Sequence, residues 1–360
     1  MTKRNLCVLW MVLCLAGFAS AQTPKKPDPK AKTPVGKGVA SKPAPPPPPP
    51  PVAKELEEET ASIAKATGAR LTASEHPVFD CASALTRDET SVVVDGAEKA
   101  WAIFKEISGA SGPSEVFGVK KPLLVILPGA EAYKKLGYWY EKQFGRPGMG
   151  DAVANSTYFP FDSPRCLIGM HLKPSDATGL AHVAAHETGH LCVQRYKFNS
   201  NYSPPWLCEG MGAYLEARVF GVTNCYCFSP GGAQRYGAGD AGAVLEKLSD
   251  LQFAKWKVAV KAAAKARQFK SFANLVPLQL SELGAAEVGK AWSMIDYMTT
   301  LGPGKVGEFI GNVKKWWPPE VVYDHTPGKT AAQEKAILTT FGVETVAFEE
   351  QWRIWVTSKY

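Results

Sequence analysis

The sequence contains no apolar run long enough to span a bilayer, no excess of one charge over most of its length, no Cys-x-x-Cys pair and no internal repeat. Each absence excludes something. The N-terminal apolar stretch, 6–19, covers about 14 residues, short of the ~20 that a membrane-spanning helix needs. Lys3 and Arg4 precede it and Ala19-Ser20-Ala21 follows it, so residues 1–21 are expected to be a secretory signal. The alternative is an uncleaved N-terminal anchor; with the signal removed, no stable membrane insertion is expected. The formal net charge of +7 lies in residues 1–53, which hold eight Lys or Arg against one Asp. The remainder carries 33 basic and 33 acidic residues. A folded part with no net charge excludes nucleic acid as the main partner.

Outside the signal stand Cys81, Cys166, Cys192, Cys208, Cys225 and Cys227. Their spacing lacks the paired pattern of a structural zinc site. An even number in an exported chain instead leads to the expectation of at least one disulfide. Residues 22–53 form a Pro- and Lys-rich linker with the run 45–51 all proline, which cannot pack a core and should be extended. With 45% hydrophobic and 21% charged residues overall, the rest has ample material for a core.

Along 54–360 the pattern changes from mixed to helical. Residues 54–68 read as a short polar helix, and 89–107 as a helix with Val93, Ala97, Trp101 and Phe104 at helical intervals. The run 123–127 reads as a buried strand, followed by a helix at 130–144 and a glycine-rich loop at 145–150. Strands are expected at 153–159 and 166–172, then helices at 177–196 and 207–220. Residues 221–240 read as a loop. Further helices are expected at 241–270, 285–300, 306–315, 330–341 and 346–356. The last places Phe348, Trp352 and Trp355 on one face, as core. The fold class is α+β: a small mixed sheet with helices in 54–200, then a mainly helical part in 201–360.

Chemistry concentrates at His186-Glu187-Thr188-Gly189-His190, an HExxH motif on the helix at 177–196. Side chains at i and i+4 share one helix face, ~5–6 Å apart, so both imidazoles can reach one tetrahedral zinc ion. Glu187 flanks the first of them, in reach of a water that a metal activates, where a carboxylate can serve as general base. A catalytic site needs a third protein ligand. Glu209, with 18 residues between it and His190, is the candidate, on the next helix. His182 is a full turn away and reads as a supporting, core or surface residue rather than a fourth ligand. Cys192 and Cys208 would close the site against water as ligands; as a disulfide they would staple the two helices. His171, on the strand at 166–172, faces the cleft or its opposite according to register.

The stretch 180–214 resembles the peptidase MA-like branch of the gluzincin metallopeptidases. In those, an HExxH helix is followed by a helix of the form Trp-Leu-x-Glu-Gly-x-Ala-x-Tyr. Here it reads Trp206-Leu207-Cys208-Glu209-Gly210-Met211-Gly212-Ala213-Tyr214. Outside this core the likeness weakens, though it covers most of 75–357. It implies one zinc ion at His186, His190 and Glu209, Glu187 as base, a zincin-like fold, and a peptide or protein as substrate. It also implies an edge strand along the cleft beside the HExxH helix, for which 166–172 is the candidate. Ala291-Trp292-Ser293-Met294-Ile295-Asp296-Tyr297 resembles a later helix of the family, where a tyrosine often precedes the Ala-Trp pair. Val288 stands in that place, leaving Tyr202, Tyr214, Tyr226, Tyr236 or Tyr297 to stabilise an oxyanion. The expected function is an exported zinc metallopeptidase; the alternative is an inactive zinc-stabilised scaffold or cell-surface binding protein.

Overall fold

A computed structural model describes residues 52–154, 158–161, 165–172, 176–197, 203–224, 253–317 and 327–360. The signal, nearly all of the linker, the loop from 225, Cys225, Cys227, Tyr202, Tyr226 and Tyr236 lie outside these. No described helix is long and apolar enough to cross a membrane.

The polar helix α1 (Lys54–Thr67) buries Leu56 and Ile63 and ends where Gly68 turns left-handed, φ 74°. A hairpin of β1 (Thr72–Glu75) and β2 (Asp80–Ser83) follows. Next come α2 (Arg87–Ser108), α3 (Pro113–Phe117), β3 (Leu123–Leu127), α4 (Ala130–Phe144), α5 (Met149–Ala154), β4 (Tyr158–Phe161) and β5 (Leu167–His171). The sheet order is β1-β2-β3-β5-β4, with β2, β3 and β5 parallel and both outer strands antiparallel. Every residue of β3 is buried because both sheet faces are covered. Leu124 and Ile126 pack with α2 and the HExxH helix; Leu123, Val125 and Leu127 pack with α1 and α4.

Three sequence expectations change here. The strand beside the cleft is not 166–172: β5 is paired on both sides, and the sheet edge is β4. The apolar, wholly buried β5 suits the interior, whereas β4 contains Pro160, which cannot donate to a ladder and is tolerated at an edge. Val153 belongs to α5 rather than to that strand, and Met149 and Gly150 of the expected loop open the same helix. His171 shares a sheet face with Leu167, and its ring lies 5.2 Å from Tyr133 of α4, on the side away from the HExxH helix.

α6 (Ala177–Arg195) carries the motif. Asp176 caps it by accepting the Gly179 N–H at 2.9 Å, and at its other end Lys314 donates to the carbonyls of Gln194 and Tyr196 at 2.8 and 2.6 Å. Residues 180–193 are buried all round, since α6 lies among α2, the sheet and α7 (Pro205–Phe220). α8 (Phe253–Lys265), α9 (Phe272–Leu275), α10 (Ala285–Thr300), α11 (Lys305–Trp316), α12 (Pro327–Phe341) and α13 (Thr345–Lys359) complete the helical part. On α13, Phe348 and Trp352 are fully buried and Trp355 packs on Tyr297, so these aromatics are core.

Of the alternatives for Cys192 and Cys208, the staple is not formed: like Cys81 they are buried thiols, and no disulfide is present among the described residues. Burial pushes the Cys81 thiol up to about 12 and raises Cys192 and Cys208 well above the ordinary range. Attack on a disulfide reagent requires thiolate. At pH 8 these three thiols are therefore expected to stay unmodified in the native protein and to react after denaturation. Thiol titration with and without denaturant checks this, and rapid native modification of any of them would contradict its burial.

Candidate metal centre

One helical turn separates His186 from His190, and their Nε2 atoms stand 3.1 Å apart. α7 runs back along α6 and brings Glu209 opposite. Its Oε1 is 3.4 Å from His190 Nε2 and its Oε2 is 3.7 Å from His186 Nε2. Glu187 joins from α6: ligand atoms of His186, Glu187 and His190 lie within 4.8 Å of one another, as a group able to hold a metal ion. His186, Glu187 and Glu209 have no solvent exposure and His190 has 5%.

The donor set fits a zinc ion. Ligand atoms bound at ~2.0–2.1 Å to one tetrahedral ion stand roughly 3.3 Å from each other. The two nitrogens and the Glu209 oxygens, at 3.1 to 3.7 Å, bracket that separation. Imidazole and carboxylate are borderline and hard donors of the kind zinc accepts. Two carboxylates and two imidazoles gathered out of water also need a cation or protons to offset their desolvation.

Glycines make the approach of the two helices possible. A Cβ on Gly189 would fall 2.8 Å from the backbone of Gly212, and one on Gly212 would fall 2.7 Å from His186 Nε2. A Cβ on Gly210 would meet Ala291 of α10 at 2.9–3.1 Å, so α7 is clasped from both sides. Gly212→Ala is expected to displace the His186 ring. It should cost about 1–3 kcal/mol of stability, as overpacking does, and weaken metal binding; thermal melts and metal titration measure both. Unchanged values in both would refute the contact.

Glu216 was not singled out from the sequence. It sits two turns beyond Glu209, so it shares that helix face, and it is fully buried. Its Oε2 is 3.4 Å from His186 Nδ1 and its Oε1 is 2.8 Å from His182 Nδ1. His182 is thereby engaged by Glu216, with its ring stacked on Phe220 at 4.0 Å. The only signal for Glu216 was its seven-residue spacing from Glu209.

The described oxyanion candidates make other contacts. The Tyr214 hydroxyl accepts from Arg218 at 2.6 Å. Tyr297 contacts Gln351 and packs against Phe348 and Trp355. Val288 is fully buried one turn before Ala291, and a tyrosine ring there would have to displace core. Burial raises the Cys208 thiol, reinforced by the neighbouring Glu209 charge.

The chain matches no protein-family model and no curated protein sequence.

Proposed function

We propose that this protein is an exported zinc metallopeptidase of the gluzincin type, with a zincin-like fold. The observation that carries the reading is the buried convergence of His186, His190 and Glu209, with Glu187 beside them. In this reading the Nε2 atoms of His186 and His190 and the carboxylate of Glu209 hold the metal. When bound, zinc polarises a carbonyl and makes a neighbouring water more acidic. Glu187 takes the proton that the attacking water gives up and returns it to the leaving amine. Glu216, whose Oε2 faces His186 Nδ1 at 3.4 Å, favours the Nδ1–H tautomer that leaves Nε2 to ligate. β4, which packs beside α6 at the sheet edge, offers a track on which an extended peptide adds as a further strand.

One observation favours a second reading, a zinc-stabilised scaffold without turnover: among the described residues, Tyr214 and Tyr297 are committed to other contacts. Metal analysis of the purified protein, paired with a mixed-peptide cleavage screen, separates the two. The peptidase should hold about one zinc per chain and cleave in a chelator-sensitive way. Zinc without cleavage supports the scaffold; absence of zinc overturns both.

A further inference from the structure

Glu216 is a third buried carboxylate at the centre, and neither the ligand set nor the base uses it. Its two oxygens look in different directions. Oε2 faces the Nδ1 of His186 at 3.4 Å. Oε1 faces His182 Nδ1 at 2.8 Å and accepts the backbone N–H of Asn224 at 2.6 Å. Asn224 reaches it because Gly221, at φ 75°, ends α7 in the left-handed conformation and turns the chain back. The Thr223 hydroxyl donates to the Ala213 carbonyl at 3.3 Å and holds that return. One side chain thus bridges a ring of the metal centre and the main chain where α7 ends.

We propose that Glu216 is a positioning residue that couples metal occupancy at His186 to the backbone of residues 221–224, each ordering the other. This rests on His186 being a metal ligand. An imidazole that ligates through Nε2 carries its proton on Nδ1, and Oε2, 3.4 Å away, is the carboxylate oxygen placed to receive it. The same carboxylate is held from its other oxygen by Asn224. A metal that immobilises His186 therefore immobilises Glu216 and strengthens the hold on Asn224. Linkage requires the reverse by the same factor: the Asn224 contact tightens the metal.

Glutamine is nearly the same shape but offers one acceptor and one donor group. With its oxygen toward Asn224 and His182, its NH₂ meets His186 Nδ1 and favours the tautomer whose Nε2 bears hydrogen and cannot ligate. Turned over, it presents N–H to the N–H of Asn224. Neither orientation serves both neighbours.

The test measures zinc affinity by chelator competition and hydrogen exchange at the Asn224 amide, on the full-length protein with and without zinc. In wild type, zinc should slow exchange at Asn224. Glu216→Gln should weaken zinc by ~10–100-fold, the usual effect of losing a partner of a ligating histidine. Asn224→Pro removes the loop's donor at an exposed position, and should weaken zinc by about fivefold or more. A role confined to general stability would lower the melting temperature without making Asn224 exchange zinc-dependent. Wild-type affinity in both variants, or zinc-independent exchange at Asn224 in protein that binds zinc, overturns the coupling. If wild type binds no zinc, or His186→Ala binds it equally well, the metal assignment has failed and the inference falls with it.

Discussion

Glu187→Gln protein is expected to keep its zinc and lose ~10²–10⁴ of its peptide turnover, the range attributed to a general acid–base. Glu187 is fully buried on α6, one position past the first ligand. Glutamine preserves volume and most hydrogen-bonding capacity, so the α6–α7 packing should hold. What the amide cannot do is accept a proton from an attacking water. The comparison is turnover on one cleaved peptide at matched zinc content. Equal rates would show that cleavage comes from another site or a contaminant, and Glu187 would lose its role.

His186→Ala and Glu209→Ala are each expected to drop zinc content from about one per chain toward none. Each removes one of the three proposed protein ligands. Each also removes one buried contact of the cluster, His186–Glu209, and is expected to lower stability as well. Glu209→Ala is the more informative variant, because Glu209 is the one proposed ligand on α7 and its carboxylate faces both Nε2 atoms. His171→Ala is the control: that ring lies against Tyr133, on the opposite side of the sheet, so zinc should be retained. Elemental analysis after gel filtration measures all four proteins. Equal zinc in wild type and both ligand variants would remove the assignment.

The elements with a strong apolar period were legible in the sequence. The run Leu123–Leu127 is a buried strand, and Ala285–Thr300 is a helix with the expected bounds. The hairpin of β1 and β2 was invisible, because Thr72–Glu75 and Asp80–Ser83 are four-residue strands without a β-branched or aromatic run. The position of β5 was misjudged for a different reason. Whether a strand is internal or outermost depends on its partners on both sides, here the neighbouring β4 and β3, which lies far back in the chain. The centre shows the same division. His186, Glu187 and His190 announce themselves because one helix sets their spacing. Glu216 acquires meaning only when α7 lies antiparallel to α6, and Gly212 only when the distance between those helices is known.

The missing Cβ atoms at Gly189 and Gly212 bear on how the protein meets its metal. Small zinc domains fold only around their ion, and the binding energy is then largely folding energy. Here Glu209 is held opposite the histidines by helix-to-helix contact that the ion takes no part in. The conformational entropy of assembling the ligands is lost when the core forms, not when zinc arrives. A preorganised centre of this kind can be emptied and refilled without unfolding. If the centre holds a metal as proposed, chelation should leave the far-UV circular dichroism unchanged, and the apo protein should remain folded.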